Sequence, residues 1–287
     1  MRLATLRTAG RTAAVRIDES ARGAVTTEIP GVPDVGALLA LPDWRNIAAG
    51  ATGASDGLDA AALATLVPNP PKVVCVGLNY RNHILEMGRD LPEFPTLFAK
   101  FPEALIGAMD PIEIPPASSA VDWECELVVV VGAVARGASR DEAGSAIAGY
   151  TVMNDVSMRD YQFRTREWLQ GKTFEHTTPV GPVLVTADDW QPGPTIRTIV
   201  DGEVVQEAST GDLVFDPVDL VSYISTIITL KPGDLIATGT PGGVGHARKP
   251  PRYLAPGARV QTIIDGIGTL DNHCVAVDAR GRHAGPA

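Results

Sequence analysis

The segment Asp122-Trp123-Glu124-Cys125-Glu126-Leu127-Val128-Val129 sets two carboxylates two residues apart at the head of an apolar run. On a strand, residues two apart project from one face, so Glu124 and Glu126 would stand side by side. Like charges that close are costly without a cation between them. A solvated strand end is the plainer reading of the same pair. Asp155, in Met153-Asn154-Asp155-Val156, offers a third oxygen ligand at another strand end. A ligand set made only of carboxylates suits Mg2+ or Mn2+, with open positions for water and substrate, rather than zinc.

A second constellation runs from Asn79 to Glu86. His83 and Glu86 are three apart and meet on one helical face. A carboxylate beside an imidazole orients it and raises its basicity, which a general base acting on water requires. A surface ion pair satisfies the same spacing. A third is Thr238-Gly239-Thr240-Pro241-Gly242-Gly243-Val244-Gly245, whose glycines allow close backbone approach and whose threonines can donate to an anion. It lacks the Lys-Ser/Thr of a P-loop and the spacing of a dinucleotide fingerprint, and a structural turn is its alternative.

The elements that must hold these residues read as β-rich. The 287 residues are 45% hydrophobic and 20% charged, which excludes a disordered chain, and 29 glycines with 23 prolines imply many tight turns. Arg2–Arg7 and Thr12–Ile17 alternate around Ala9-Gly10-Arg11 and predict a hairpin. Pro68-Asn69-Pro70-Pro71 can continue neither a helix nor a central strand, so a boundary is placed there, between a small N-terminal domain (1–68) and a larger one (69–287). Val73–Gly77, Trp123–Val131, Tyr150–Met153 and Val260–Ile264 read as strands. Ser139 with Glu142 predicts a capping box and a short helix that Gly149 can end; Asp219 is the expected cap of a helix carrying Leu220, Val221, Ile224, Ile227 and Ile228. Many short strands with two or three helices favour an α+β fold.

The formal charge of −10, with no local basic patch, argues against nucleic-acid and anionic-membrane partners. The longest apolar run, Leu127 to Ala135, is far short of the ~20 residues of a spanning helix. Behind Arg2, Arg7 and Arg11 there is none of the ~7–15 consecutive apolar residues of a secretory signal, so a cytoplasmic protein is expected. Cys75, Cys125 and Cys274 form no CxxC pair and read as buried thiols.

Taken together, the stretch from about Val73 to Val275 resembles the fumarylacetoacetate hydrolase family. The resemblance rests on Val76–His83, Asp122–Glu126, Gly149–Asp160, Gly171-Lys172-Thr173-Phe174, Gly181-Pro182, and Leu230–Asp234 followed by the Thr238–Gly245 loop. It implies a mixed β-sandwich roll, a homodimer, and a divalent metal held by Glu124, Glu126 and Asp155. It further implies Lys172 and Gln162 near the substrate's oxygens, Thr240 at its carboxylate, Tyr80 and Arg81 in substrate binding, and the His83/Glu86 pair on a segment that orders with substrate. The chain departs from the commoner pattern after the lysine, where Lys172-Thr173-Phe174-Glu175-His176 stands for a run ending in Asp-Thr. His176 has two readings, a substrate contact or a hydrogen bond to a neighbour.

The expectation is a Mg2+- or Mn2+-dependent hydrolase of aromatic catabolism that cleaves a carbon–carbon bond in an acylpyruvate, with a fumarylpyruvate-like 2-oxo acid favoured. In that scheme Lys172 and Gln162 hold a developing oxyanion while His83, oriented by Glu86, deprotonates water. The same enolate chemistry would serve an oxaloacetate decarboxylase or a 2-hydroxyhepta-2,4-diene-1,7-dioate isomerase or hydratase on this fold. A non-catalytic metal-binding protein would need a motif position lost, and every named position is filled.

Overall fold

Apolar alternation along the short segments lets them pair into two main sheets, in a computed structural model that describes residues 1–21, 23–86, 88 and 90–282. The larger sheet runs in the order Ser55–Gly57, Gly23–Glu28, Arg11–Ser20, Arg2–Thr8, Thr178–Thr186, Ile147–Asn154, Cys125–Val131, Leu235–Ala237, Val73–Gly77 and Thr96–Lys100. The second has the order Glu203–Ser209, Thr195–Val200, Arg259–Ile264, Gly268–Ala276 and Ile112–Ile114. The architecture is mixed α+β, strand-dominated with few helices, and no barrel closes among the described residues.

The expected N-terminal hairpin is Arg2–Thr8 paired with Arg11–Ser20. Arg2–Thr8 also pairs with Thr178–Thr186, so the large sheet runs across the proline-rich segment, and Leu6, Val15 and Ile17 share a core with Leu127, Val129 and Val152. The strand Cys125–Val131 is buried on both faces, which explains its unbroken apolar sequence in place of alternation. One face joins the cluster of Leu127 and Val129, the other that of Val128 and Val130.

Two helices differ in detail from expectation. Arg140–Ala146 carries the Ser139/Glu142 capping box but ends at once in the strand Ile147–Asn154, three residues before the strand start read from sequence. Pro217–Ile227 is capped by Asp216, not Asp219: Pro217 takes the first helical position, where no N–H is needed, and Asp219 reaches back to the Asp216 backbone. No described helix is long and apolar enough to cross a membrane.

Candidate metal centre

Register builds the site. Cys125–Val131 pairs antiparallel with Ile147–Asn154, Cys125 opposite Asn154, and the Asp155 N–H donates to the Glu124 carbonyl at 2.8 Å. That contact brings Asp155 across to the two glutamates. Glu124, Glu126 and Asp155 are all buried, and one ligand oxygen from each lies within 4.8 Å of the others. Asn154 fastens the corner by accepting from the Glu124 N–H at 2.9 Å and donating to Thr262 at 3.1 Å.

Three cations surround the triad. Lys172 donates to Glu124 Oε2 at 2.6 Å and Asp155 Oδ2 at 2.9 Å. Lys100 holds Asp155 Oδ1 at 2.6 Å, and Arg159 holds Glu124 Oε1 at 2.7 Å while bonding Asp122 Oδ2 at 2.9 Å. Burial works against the Lys172 ammonium, but the Asp155 and Glu124 carboxylates hold its pKa above the ordinary value, so it stays charged. Asp155 likewise titrates low despite burial, because Lys100 and Lys172 face it. Among the described residues Glu126 has no such cation in contact. Its Oε2 accepts the Gly239 N–H at 2.8 Å, and burial with Asp155 and Glu124 beside it pushes its pKa well up.

A divalent cation fits this donor set. All three ligands are oxygens, the repulsion that raises Glu126 is what a cation relieves, and each carboxylate oxygen has a second lone pair beyond its present partner.

The remaining expected residues divide. Gln162 is buried and accepts from Arg159 at 2.8 Å, at one remove from Glu124. It sits on the short helix Arg159–Gln162, against which Leu169–Lys172 packs; a Cβ on Gly171 would fall 2.5 Å from the Gln162 nitrogen, so glycine alone permits the approach that delivers Lys172. Thr240 is half-buried and accepts from Gln206 at 2.9 Å. Tyr80 is buried, its hydroxyl unpartnered among the described residues, and burial, with Cys125 and Glu126 nearby, holds its phenol well above the usual range.

His83 lies on the helix Arg81–Glu86 and faces Gly242, where an added Cβ would be 2.9 Å from Nδ1. With Tyr80, Asp212 and Pro241 it lines a cleft of about 420 Å³. The side chain of Glu86 lies outside the described residues, so its pairing with His83 is not part of this geometry. Arg81 is exposed, and its backbone N–H bonds the Asp212 carbonyl. His176, at φ +54°, borders a different hollow with Phe174 and Glu113.

Lys100, Asp122, Arg159 and Gln206 join the site without having been singled out from sequence. Asp122 and Arg159 stand inside the Asp122–Glu126 and Gly149–Asp160 stretches that carry the family resemblance, and Lys100 ends an otherwise uncharged strand; Gln206 gives no such signal.

The fumarylacetoacetate (FAA) hydrolase C-terminal family model matches residues 72–275. The chain belongs to this family. It is 43% identical over 213 residues to the human mitochondrial oxaloacetate tautomerase FAHD2A, covering 73% of this chain and 68% of that protein. The solved 5-carboxymethyl-2-hydroxymuconate delta-isomerase from Mycobacterium smegmatis superimposes with a TM-score of 0.80 at 35% identity, covering 96% of this chain and 100% of the other. The fumarylacetoacetate hydrolase of Exiguobacterium antarcticum gives 0.84 at 32% identity, covering 96% and 100%. The expected cytoplasmic location is corrected here: the matching tautomerases of rat, human and cattle are mitochondrial by name. The missing apolar stretch excludes one kind of export signal and does not assign a compartment.

Proposed function

We propose that the protein is a Mg2+- or Mn2+-dependent enzyme that converts 2-oxo acids through their enols, and that keto–enol tautomerisation of an oxaloacetate-like 2-oxo dicarboxylate is its reaction. The observation that carries this is the buried Glu124/Glu126/Asp155 triad with a charged Lys172 against it. The relatives named as tautomerases and isomerases favour this reading over the acylpyruvate cleavage expected from sequence, since both reactions shift a proton through an enolate and need no water attack. A bound divalent ion would supply Lewis acidity, polarising the 2-oxo carbonyl and acidifying the neighbouring C–H. Lys172, held protonated, stabilises negative charge developing on the substrate's oxygen and does not act as the base. His83, in the cleft wall, takes the C3 proton and passes it to water while the enolate oxygen gains one from water, and Thr240 donates to the carboxylate.

The test follows enol-oxaloacetate by its ultraviolet absorbance with Mg2+, with Mn2+ and after chelation. Metal-dependent acceleration of enol decay, without pyruvate or CO2, is expected. No acceleration, together with cleavage of an acylpyruvate into pyruvate and an acid, would return the protein to the hydrolases.

A further inference from the structure

We propose that Gln206 is a positioning residue that fixes Thr240 as a hydrogen-bond donor, so that the site selects a ligand oxygen carrying negative charge. The inference rests on reading Thr240 as a ligand contact.

Gln206 lies on Glu203–Ser209 of the smaller sheet, is 2% exposed, and spends its whole amide on two threonines and two backbone groups. Its Oε1 accepts from the Cys125 N–H at 3.1 Å and the Thr198 hydroxyl at 2.8 Å. Its Nε2 donates to Thr240 Oγ1 and to the Pro241 carbonyl, both at 2.9 Å. The amide cannot be flipped. A backbone N–H only donates and a carbonyl only accepts, so reversal would set donor against donor at Cys125 and acceptor against acceptor at Pro241.

That orientation dictates the polarity of Thr240. A hydroxyl has one proton and two lone pairs, and one lone pair is taken by Gln206. Among the described residues it also meets the Cys125 sulfur, a weak hydrogen-bonding group. The Thr240 proton therefore has its strong partner outside the protein, at the half-exposed side of the loop. An anionic oxygen accepts it, whereas a ligand N–H or O–H at the same place can use only the remaining lone pair, with the Thr240 proton turned back to the weak Cys125 sulfur. Because Cys125 stands between Glu124 and Glu126, the same glutamine ties this donor to the strand bearing the carboxylate triad.

Oxalate, planar like the enolate of a 2-oxo acid, is the probe, titrated calorimetrically into Mg2+-loaded wild type, Thr240→Val, Thr240→Ser, Gln206→Met and the double variant Thr240→Val/Gln206→Met. Thr240→Val should weaken oxalate roughly 10–100-fold, the worth of a hydrogen bond to a charged group, and Thr240→Ser should restore it. Gln206→Met should weaken oxalate about tenfold with Mg2+ affinity unchanged, and the double variant should be no weaker than Thr240→Val, because the two residues act as a unit. Unaltered binding in Thr240→Val overturns the contact and this inference together. Loss in Thr240→Val with wild-type binding in Gln206→Met, or losses that simply multiply, overturns the role of Gln206 alone. If Gln206→Met does not fold, a crystal structure of the wild-type Mg2+–oxalate complex decides. Thr240 Oγ1 should touch both Gln206 Nε2 and an oxalate oxygen, and a hydroxyl turned from either refutes the assignment.

Discussion

Replacing Lys172 by methionine removes the ammonium that bridges Glu124 and Asp155 while keeping most of the side-chain volume in a site only 1% exposed. Breaking a buried ion pair by deleting one partner costs ~3–5 kcal/mol, because the other charge stays buried. Here both carboxylates keep a second cation, Arg159 on Glu124 and Lys100 on Asp155, so the lower end, about 3 kcal/mol, applies. At 2–4 °C per kcal/mol, the metal-free variant should melt ~6–12 °C below wild type. A divalent ion bound to the same carboxylates replaces the lost charge, so the loaded variant should lose less, about half as much. The thermodynamic cycle then demands tighter metal binding: each 1.4 kcal/mol recovered on loading corresponds to ~10-fold in Kd. Melting in EDTA and in saturating Mg2+, with calorimetric Mg2+ titration, measures every side of that cycle. Turnover should fall in either case, so activity does not discriminate. Equal destabilisation with and without metal, or weaker metal binding, would mean that Lys172 and the ion do not share the carboxylates.

Glu126→Gln resembles the protonated glutamate and still accepts from Gly239, so it should melt within a few degrees of wild type yet fail to bind Mg2+ in a calorimetric titration. Because the folded pKa of Glu126 is raised, metal-free wild type should lose stability as pH climbs above the unfolded glutamate value of about 4.3, where the unfolded chain has released a proton that the folded one keeps. Denaturant titrations along pH should find that slope flattened in Glu126→Gln; an unchanged slope assigns it to another group. His83→Ala should lower kcat roughly 10²–10⁴-fold with Mg2+ affinity intact, and parallel loss of metal would make it structural. Gly242→Ala, whose Cβ would press on His83 Nδ1, should lower kcat in the same direction at unchanged melting temperature.

The triad was legible because period-two spacing and strand ends are local signals, and Asp155 needed only the next strand over. Lys100 and Gln206, which hold Asp155 and the neighbouring loop, were not. Lys100 arrives from the edge strand Thr96–Lys100, and Gln206 from a different sheet, and no spacing within either segment announces the meeting. The cap lies three residues before Asp219 because the apolar face marks the helix body but not its first turn, where Pro217 fits the first helical position and leaves Asp216 as the cap. The compartment failed for another reason: a targeting signal is read by a receptor, and its absence in a few residues has no bearing on packing or chemistry.

The cation ring around the triad also orders events in time. Asp122, Glu124 and Asp155 are matched one for one by Lys100, Arg159 and Lys172, with Glu126 held toward its neutral form, so these side chains by themselves are close to electroneutral. A divalent ion held by Glu124, Glu126 and Asp155 would displace the Glu126 proton and leave one positive charge over, which the carboxylate beside the 2-oxo group of the proposed dicarboxylate would cancel. On that count the ion would bind before the acid, and the product would leave a site that keeps its ion, ready for the next anion without waiting on metal exchange.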